Sequence, residues 1–205
     1  DLNAMAEHGV RLGWTGGVNK RSVSELVISF AVALLRHVPI ANNEMRTGIF
    51  RQHVGRQLSD CTIGIVGCGH VGKDLSRLLR AFGCQVLAND ILDFPDFYGE
   101  TGVKPASLET VLTESDIVSL HLQLDDTTRN IIDEEALRLM KPGAVLINVA
   151  RGGLADEAAL KLALQSGALA GAGFDVFQTE PPEDLELINL PNFMADTAVS
   201  ILKQS

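Results

Sequence analysis

Apolar residues fall along this chain in two rhythms. Short apolar runs occur at residues 62–66, 85–88, 117–122, 144–149 and 170–176, with a weaker one at 193–195. Between them lie stretches of helical period at 73–82, 107–113, 133–140 and 156–165. The runs are β-branched and unbroken, so they predict strands buried on both faces; the alternation predicts repeated βα units. Such units build a parallel sheet covered by helices on both sides, an α/β fold. Asp133 and Asp156 stand where helix N-caps are needed, while Pro142-Gly143 and Ser166-Gly167 stand where helices stop.

The first sixty residues are less regular. A helix-like piece at 2–7 precedes a strand-like piece at 10–14. Ser22, with Glu25 three residues later, has capping-box spacing and predicts a helix over 22–37. Its stretch from Leu26 to Leu35 is apolar almost all round, so it is expected to be buried on more than one side. A subunit interface and an interior position both satisfy that pattern. Residues 39–60 read as polar and irregular. The expected division is a remnant or hinge at 1–20, a dinucleotide domain at 21–195 that includes the 22–37 helix, and a C-terminal segment at 196–205.

Composition narrows the function. The 205 residues are 46% hydrophobic and 21% charged, ordinary for a packed core. Lys plus Arg is 17 against 26 Asp plus Glu, a net charge of −9. That balance disfavours nucleic acid and anionic membranes as partners, because both need a basic footprint. Cys61, Cys68 and Cys84 form no CxxC pair, so neither a disulfide framework nor a metal site is expected and a cytoplasmic setting is the default. No segment has the order of a signal peptide.

The strongest local motif is Gly67-x-Gly69-x-x-Gly72, which follows one predicted strand and opens one predicted helix. The first glycine permits a tight turn, the second admits a pyrophosphate to the backbone, and the third lets helix and sheet approach. The helix N-terminus adds free N–H groups and partial positive charge. Asp90 ends the next strand, 18 residues beyond Gly72, where a carboxylate can accept hydrogen bonds from a ribose diol. The same charge repels a 2′-phosphate, so NAD is expected rather than NADP. The fold expected is therefore a Rossmann-type doubly wound sheet.

Ligands of open parallel sheets lie at the carboxyl ends of the strands. There the sequence places His121, Arg151, Asp175 and Glu180, which one crevice could gather. Hydride transfer from a 2-hydroxy acid needs a base, a cation for the carboxylate, and a carboxylate that orients the base. Arg151 suits the second task and Glu180 the third, and a histidine is the natural base. Other readings stay open: an ion-pair partner for Arg151, a helix-initiating role for Glu180, a turn former at Asp175, a satisfied strand-end histidine at His121.

Taken together, several ordered motifs resemble the D-isomer-specific 2-hydroxyacid dehydrogenases, most nearly the D-3-phosphoglycerate dehydrogenase branch. They are 67–72, Asp90, Leu120 to Leu124, Leu146 to Gly153 with Asp156 to Leu160, and Asp175 to Pro181. The resemblance implies His70 and Val71 at the pyrophosphate beside Gly67, Gly69 and Gly72, and Asp90 at the adenosine ribose. It further implies Leu122, Val149 and Ala150 lining the cofactor and Asp175 at the nicotinamide amide. Arg151 would be the substrate-binding catalytic arginine and Glu180 the partner of a catalytic histidine. The helix beginning near Ser22 would form a homodimer interface, and the substrate would be a small 2-hydroxy or 2-oxo acid.

Two departures accompany the resemblance. The family's substrate lobe is largely absent. After Ala195 the family continues Thr-Pro-His, whereas Asp196-Thr197-Ala198 stands here, so the histidine position falls on Ala198. A missing segment explains the joint loss better than a single substitution, and NAD binding with little turnover is expected of these 205 residues. The rival expectation is a catalytically silent, NAD(H)-sensing corepressor-like protein; another Rossmann user is disfavoured by the Arg151 and Glu180 motifs.

Overall fold

A computed structural model describes residues 2–11, 13 and 15–197. Its helices are α1 (Leu2–Glu7), α2 (Lys20–Leu35), α3 (Val38–Arg46), α4 (His70–Ala81), α5 (Pro95–Thr101), α6 (Leu108–Glu114), α7 (Glu134–Leu139), α8 (Glu157–Gln165) and α9 (Leu185–Ile188). The strands are β1 (Thr62–Val66), β2 (Gln85–Asn89), β3 (Lys104–Pro105), β4 (Ile117–Leu120), β5 (Ala144–Asn148), β6 (Leu169–Phe174) and β7 (Phe193–Ala195). They form one parallel sheet in the order β3-β2-β1-β4-β5-β6-β7.

Side chains alternate across a strand, so each strand feeds two cores. Val118, Leu120 and Leu146 pack with α6, α7 and α8 on one face. Ile117, Val145 and Ile147 pack with α2 and α4 on the other. This double burial is why the strands read as unbroken apolar runs. The sequence of β6, with Gly171 and Gly173, fits the same logic. A Cβ at Gly173 would lie 2.8 Å from the Phe30 ring, and one at Gly171 would lie 3.0 Å from Leu34. The two glycines make the seat on which α2 rests.

Asp133, Asp156 and Ser107 cap α7, α8 and α6 with side-chain bonds to backbone N–H groups. Four expectations need correction. Ser22 does not cap α2; Asn19 holds the cap position without a side-chain bond, and Ser22 lies in the first turn. The helix at 73–82 begins three residues earlier, so His70 is its first residue. Residues 38–46 form α3, started by Pro39 in the first turn and by a left-handed His37. Val10, Arg11 and Gly13 form no strand, and Leu12 and Trp14 lie outside the described residues. Helix α2 is buried on more than one side, as its apolar stretch implies: it rests on β5 and β6 and packs against α4, and only Val32 among its large apolar residues is exposed, at 39%. Among the described residues no single helix is long and apolar enough to cross a membrane.

Candidate functional site

The chain runs outward from β1 through β2 to β3, then returns to the other side of β1 as β4. The carboxyl ends of β1 and β4 therefore diverge, which opens a crevice at this switch point. Three glycines line its floor, each for a different reason. Gly67 adopts φ +100, and a Cβ there would lie 2.7 Å from the His121 carbonyl oxygen. Gly72 packs so closely on the Gly67 carbonyl that a Cβ would lie 2.3 Å from its oxygen. Gly69 has nothing within 4 Å of a Cβ position, so its backbone faces open space at the N-terminus of α4. That is a cradle for a phosphate, with helix N–H groups and dipole behind it.

Asp90 is joined to this cradle. Its Oδ2 accepts from Cys68 N at 2.6 Å and its Oδ1 from Leu92 N at 2.9 Å. Each carboxylate oxygen keeps a lone pair for a ligand. Beyond it, Lys73 Nζ lies 3.3 Å from the centre of the Phe94 ring and fixes the following loop. Ile91 is fully exposed in that loop. On the N-terminal side, Gly17 packs on the His70 ring, and Ser24 Oγ reaches the Val71 carbonyl at 3.5 Å.

The turn after β5 is organised by Asn148, which is 1% exposed. Its Nδ2 donates to the Arg151 carbonyl at 2.9 Å, and its Oδ1 accepts from Ala150 N at 3.2 Å. Its own carbonyl accepts from Asp175 N at 3.3 Å, linking the turn to the end of β6. The turns also touch directly: a Cβ on Gly152 would lie 1.8 Å from the Phe177 oxygen. Glu180 Oε1 accepts from Phe177 N at 3.1 Å, and Glu157 Oε1 from Gln178 N at 2.7 Å. The Arg151 guanidinium is exposed, and its Nη1 donates to its neighbour's carbonyl, Ala150, at 2.6 Å.

Electrostatics single out Asp175. It is buried, and its Oδ1 has no hydrogen-bond partner within the protein. Burial raises its carboxyl to about 6, Asp196 and Glu180 push the same way, and Arg151 opposes them. His121 is half-buried, and desolvation lowers its ring to about 4, so it is neutral near pH 7. Its Nε2 lies 3.0 Å from Ser119 Oγ. That neutral, bonded ring is the satisfied strand-end histidine rather than a base poised near neutrality.

The expected single crevice is divided in two. A cleft of about 210 Å³ holds His121, Leu122, Val149, Ala150 and Arg151 together with Val71. A second cavity of about 480 Å³ holds Asp175 and Glu180. Arg151 nevertheless acts on Asp175 electrostatically. Sequence reasoning missed Asn19 in the cleft and Asp196 in the cavity, because neither belongs to a motif, and it gave no role to Gln123, which lines the cleft from within the Leu120 to Leu124 motif. Ala198 lies outside the described residues.

The geometry fits a dinucleotide on two counts visible in the fold: the open Gly69 cradle beside Asp90, and the unpartnered buried oxygen of Asp175. Comparison with known proteins agrees. Residues 28–197 match the family described as "D-isomer specific 2-hydroxyacid dehydrogenase, NAD binding domain". D-3-phosphoglycerate dehydrogenase of Bacillus subtilis is 36% identical over 197 residues, which are 95% of this chain and 38% of that protein. Hydroxypyruvate reductase of Thermotoga maritima is 34% identical, covering 95% of this chain and 64% of that protein. Among solved structures, D-lactate dehydrogenase with NAD+ from Lactobacillus jensenii superposes with a TM-score of 0.90 at 29% identity, covering 97% of this chain and 64% of that one. The chain thus spans less than two thirds of these relatives, whose names are dehydrogenases and reductases rather than corepressors. It belongs to the D-isomer specific 2-hydroxyacid dehydrogenase family, and what it contributes is that family's NAD-binding domain.

Proposed function

We propose that this chain serves an oxidoreductase that moves a hydride between a D-2-hydroxy acid and NAD, with 3-phosphoglycerate among the candidate substrates. The observation that carries the reading is the joining of Asp90 to the glycine cradle at 2.6 Å, which puts a ribose acceptor and a phosphate cradle in one place. Bound NAD supplies the hydride acceptor or donor. Asp90 takes the adenosine ribose diol, and Ile91 flanks the adenine from solvent. Gly67, Gly69, Gly72, His70 and Val71 hold the pyrophosphate. Leu122, Val149 and Ala150 line the cleft beyond it. Asp175 holds the nicotinamide carboxamide, whose amide can satisfy the unpartnered Oδ1.

Arg151 binds the carboxylate of a 2-hydroxy or 2-oxo acid and polarises the reacting oxygen. Its exposed fork, on a turn pinned by Asn148, is free to grip two oxygens at once. Glu180 orients the proton-transferring histidine, which the described residues do not supply at this cavity. The 1–20 segment acts as a hinge, and the exposed side of α2, with Val32 and neighbouring Val38, joins two copies as a homodimer. A cytoplasmic location suits the free thiols.

The test is an assay of the naturally encoded protein with D- and L-2-hydroxy acids. We expect NAD-dependent oxidation of the D isomer only. Arg151→Lys should lower kcat/KM by roughly two orders of magnitude with NAD affinity kept, because a lysine cannot grip two oxygens at once. Preference for the L isomer, or full activity in Arg151→Lys, would overturn the reading.

A further inference from the structure

Three carboxylates converge where β6 and β7 end. Asp175, Glu180 and Asp196 line one cavity of about 480 Å³, beside the apolar Phe177 and Ile188. Asp175 is 91% buried, and its Oδ1 is unpartnered. Asp196 sits on the last bond of the sheet, its N–H donating to the Phe174 carbonyl at 3.0 Å. Its side chain is tied by Oδ1 to Thr197 N at 2.8 Å. Its charge acts on Asp175 more strongly than that of Glu180. The cation that faces the group, Arg151, acts on Asp175 least among these neighbours. The ionised cluster is therefore net negative.

The two redox forms of the cofactor differ by one charge at the nicotinamide, positive when oxidised and absent when reduced. A negative cavity at the nicotinamide end distinguishes them by Coulomb's law alone. We propose that Asp196, acting with Asp175 and Glu180, shifts this domain's relative affinity toward NAD+ and away from NADH. The proposal rests on the placement of the nicotinamide at Asp175 given above. Asp196 is a specificity-determining residue here and takes no part in chemistry. Across about 10 Å, at an effective dielectric of about 25–50, one carboxylate changes the affinity of a unit cation by roughly three- to tenfold. The shift should also grow as Asp175 ionises near pH 6, with Asp196 and Glu180 charged and Arg151 the opposing cation.

Asp196→Asn is the test, since an amide keeps an acceptor for Thr197 N and removes only the charge. Kd values for NAD+ and NADH are measured calorimetrically on the 205-residue chain at pH 8 and low salt. We expect the Asn variant to weaken NAD+ by roughly threefold or more and to leave NADH within experimental error. Asp196→Lys should shift the ratio further the same way, and high salt should shrink both effects. An unchanged ratio with both nucleotides still bound would overturn this proposal alone. Equal weakening of both forms would overturn it too, since that marks a role in packing. If the unaltered chain bound neither nucleotide, the NAD reading would fall and this proposal with it.

Discussion

Gly152 shows how little room the site leaves at single positions. Any side chain there meets the Phe177 carbonyl, with a Cβ 1.8 Å from its oxygen, so the Arg151 turn and the turn after β6 must separate. Gly152→Ala should lower stability by about 2 kcal/mol or more in urea unfolding, a cost of backbone overlap that no flexible neighbour can absorb. Asp175 makes the opposite prediction. Its carboxyl is raised from about 3.8 to about 6, so the folded state binds its proton more tightly than the unfolded chain does. That contribution is fully present below pH 4 and is lost as pH rises through about 6. Above pH 6 Asp175→Asn should therefore stabilise the chain by on the order of 2 kcal/mol in thermal melts, with the gain vanishing toward pH 4. The same variant should bind NAD+ less well, the mark of a group kept for its ligand rather than for the fold. Arg151, Asp175 and Glu180 stood out in the sequence because each lies at or just beyond the end of an apolar run. Asn148 was not, since an asparagine at a strand end carries no signal until the turn it pins is seen.

Elements were legible to the extent that burial imposed a rhythm. β1, β2, β4, β5 and β6 are covered on both faces, and the apolar runs marked them to within two residues at their ends. β3 escaped because it has only two residues, Lys104 and Pro105, both exposed and held by a single neighbour. α5 and α9 escaped because they are too short, at seven and four residues, to show a helical period, and α3 because none of its residues is buried. The cap expected at Ser22 failed because the chain enters α2 two residues earlier, at Lys20, where Asn19 offers no side-chain bond. Arg21, one residue before Ser22, instead grips Asp74 of α4 with two bonds of 2.9 and 3.0 Å, tying the two helices together. The seat of α2 on β6 sets the size of a further effect. Phe30, 4% exposed, fills the space over Gly173, and glycine leaves nothing that can close a gap there. Phe30→Ala should cost about 3–5 kcal/mol by chemical denaturation, with a loss under 1 kcal/mol showing that α2 is not seated as described.

At the scale of the whole molecule, one sheet order sets the site, and the proposed cofactor contacts lie along the carboxyl edge of its strands, from Asp90 after β2 to Asp175 after β6. The topology was legible because parallel strands need helical crossovers and the crossovers were visible. The division of the crevice into two cavities was not, because it depends on how two turns meet in space. The family relationship makes this an NAD-binding domain, and the central physical claim is that Asp90 and the glycine cradle act as one unit. Calorimetric titration of the 205-residue chain with NAD+ and NADP+, before and after Asp90→Ala, tests it most directly. The account predicts one NAD+ per chain, NADP+ weaker by roughly tenfold or more, and an Ala variant that loses both affinity for NAD+ and the preference. Equal affinity for the two nucleotides in the unaltered chain, or an Ala variant that binds NAD+ undiminished, would contradict it.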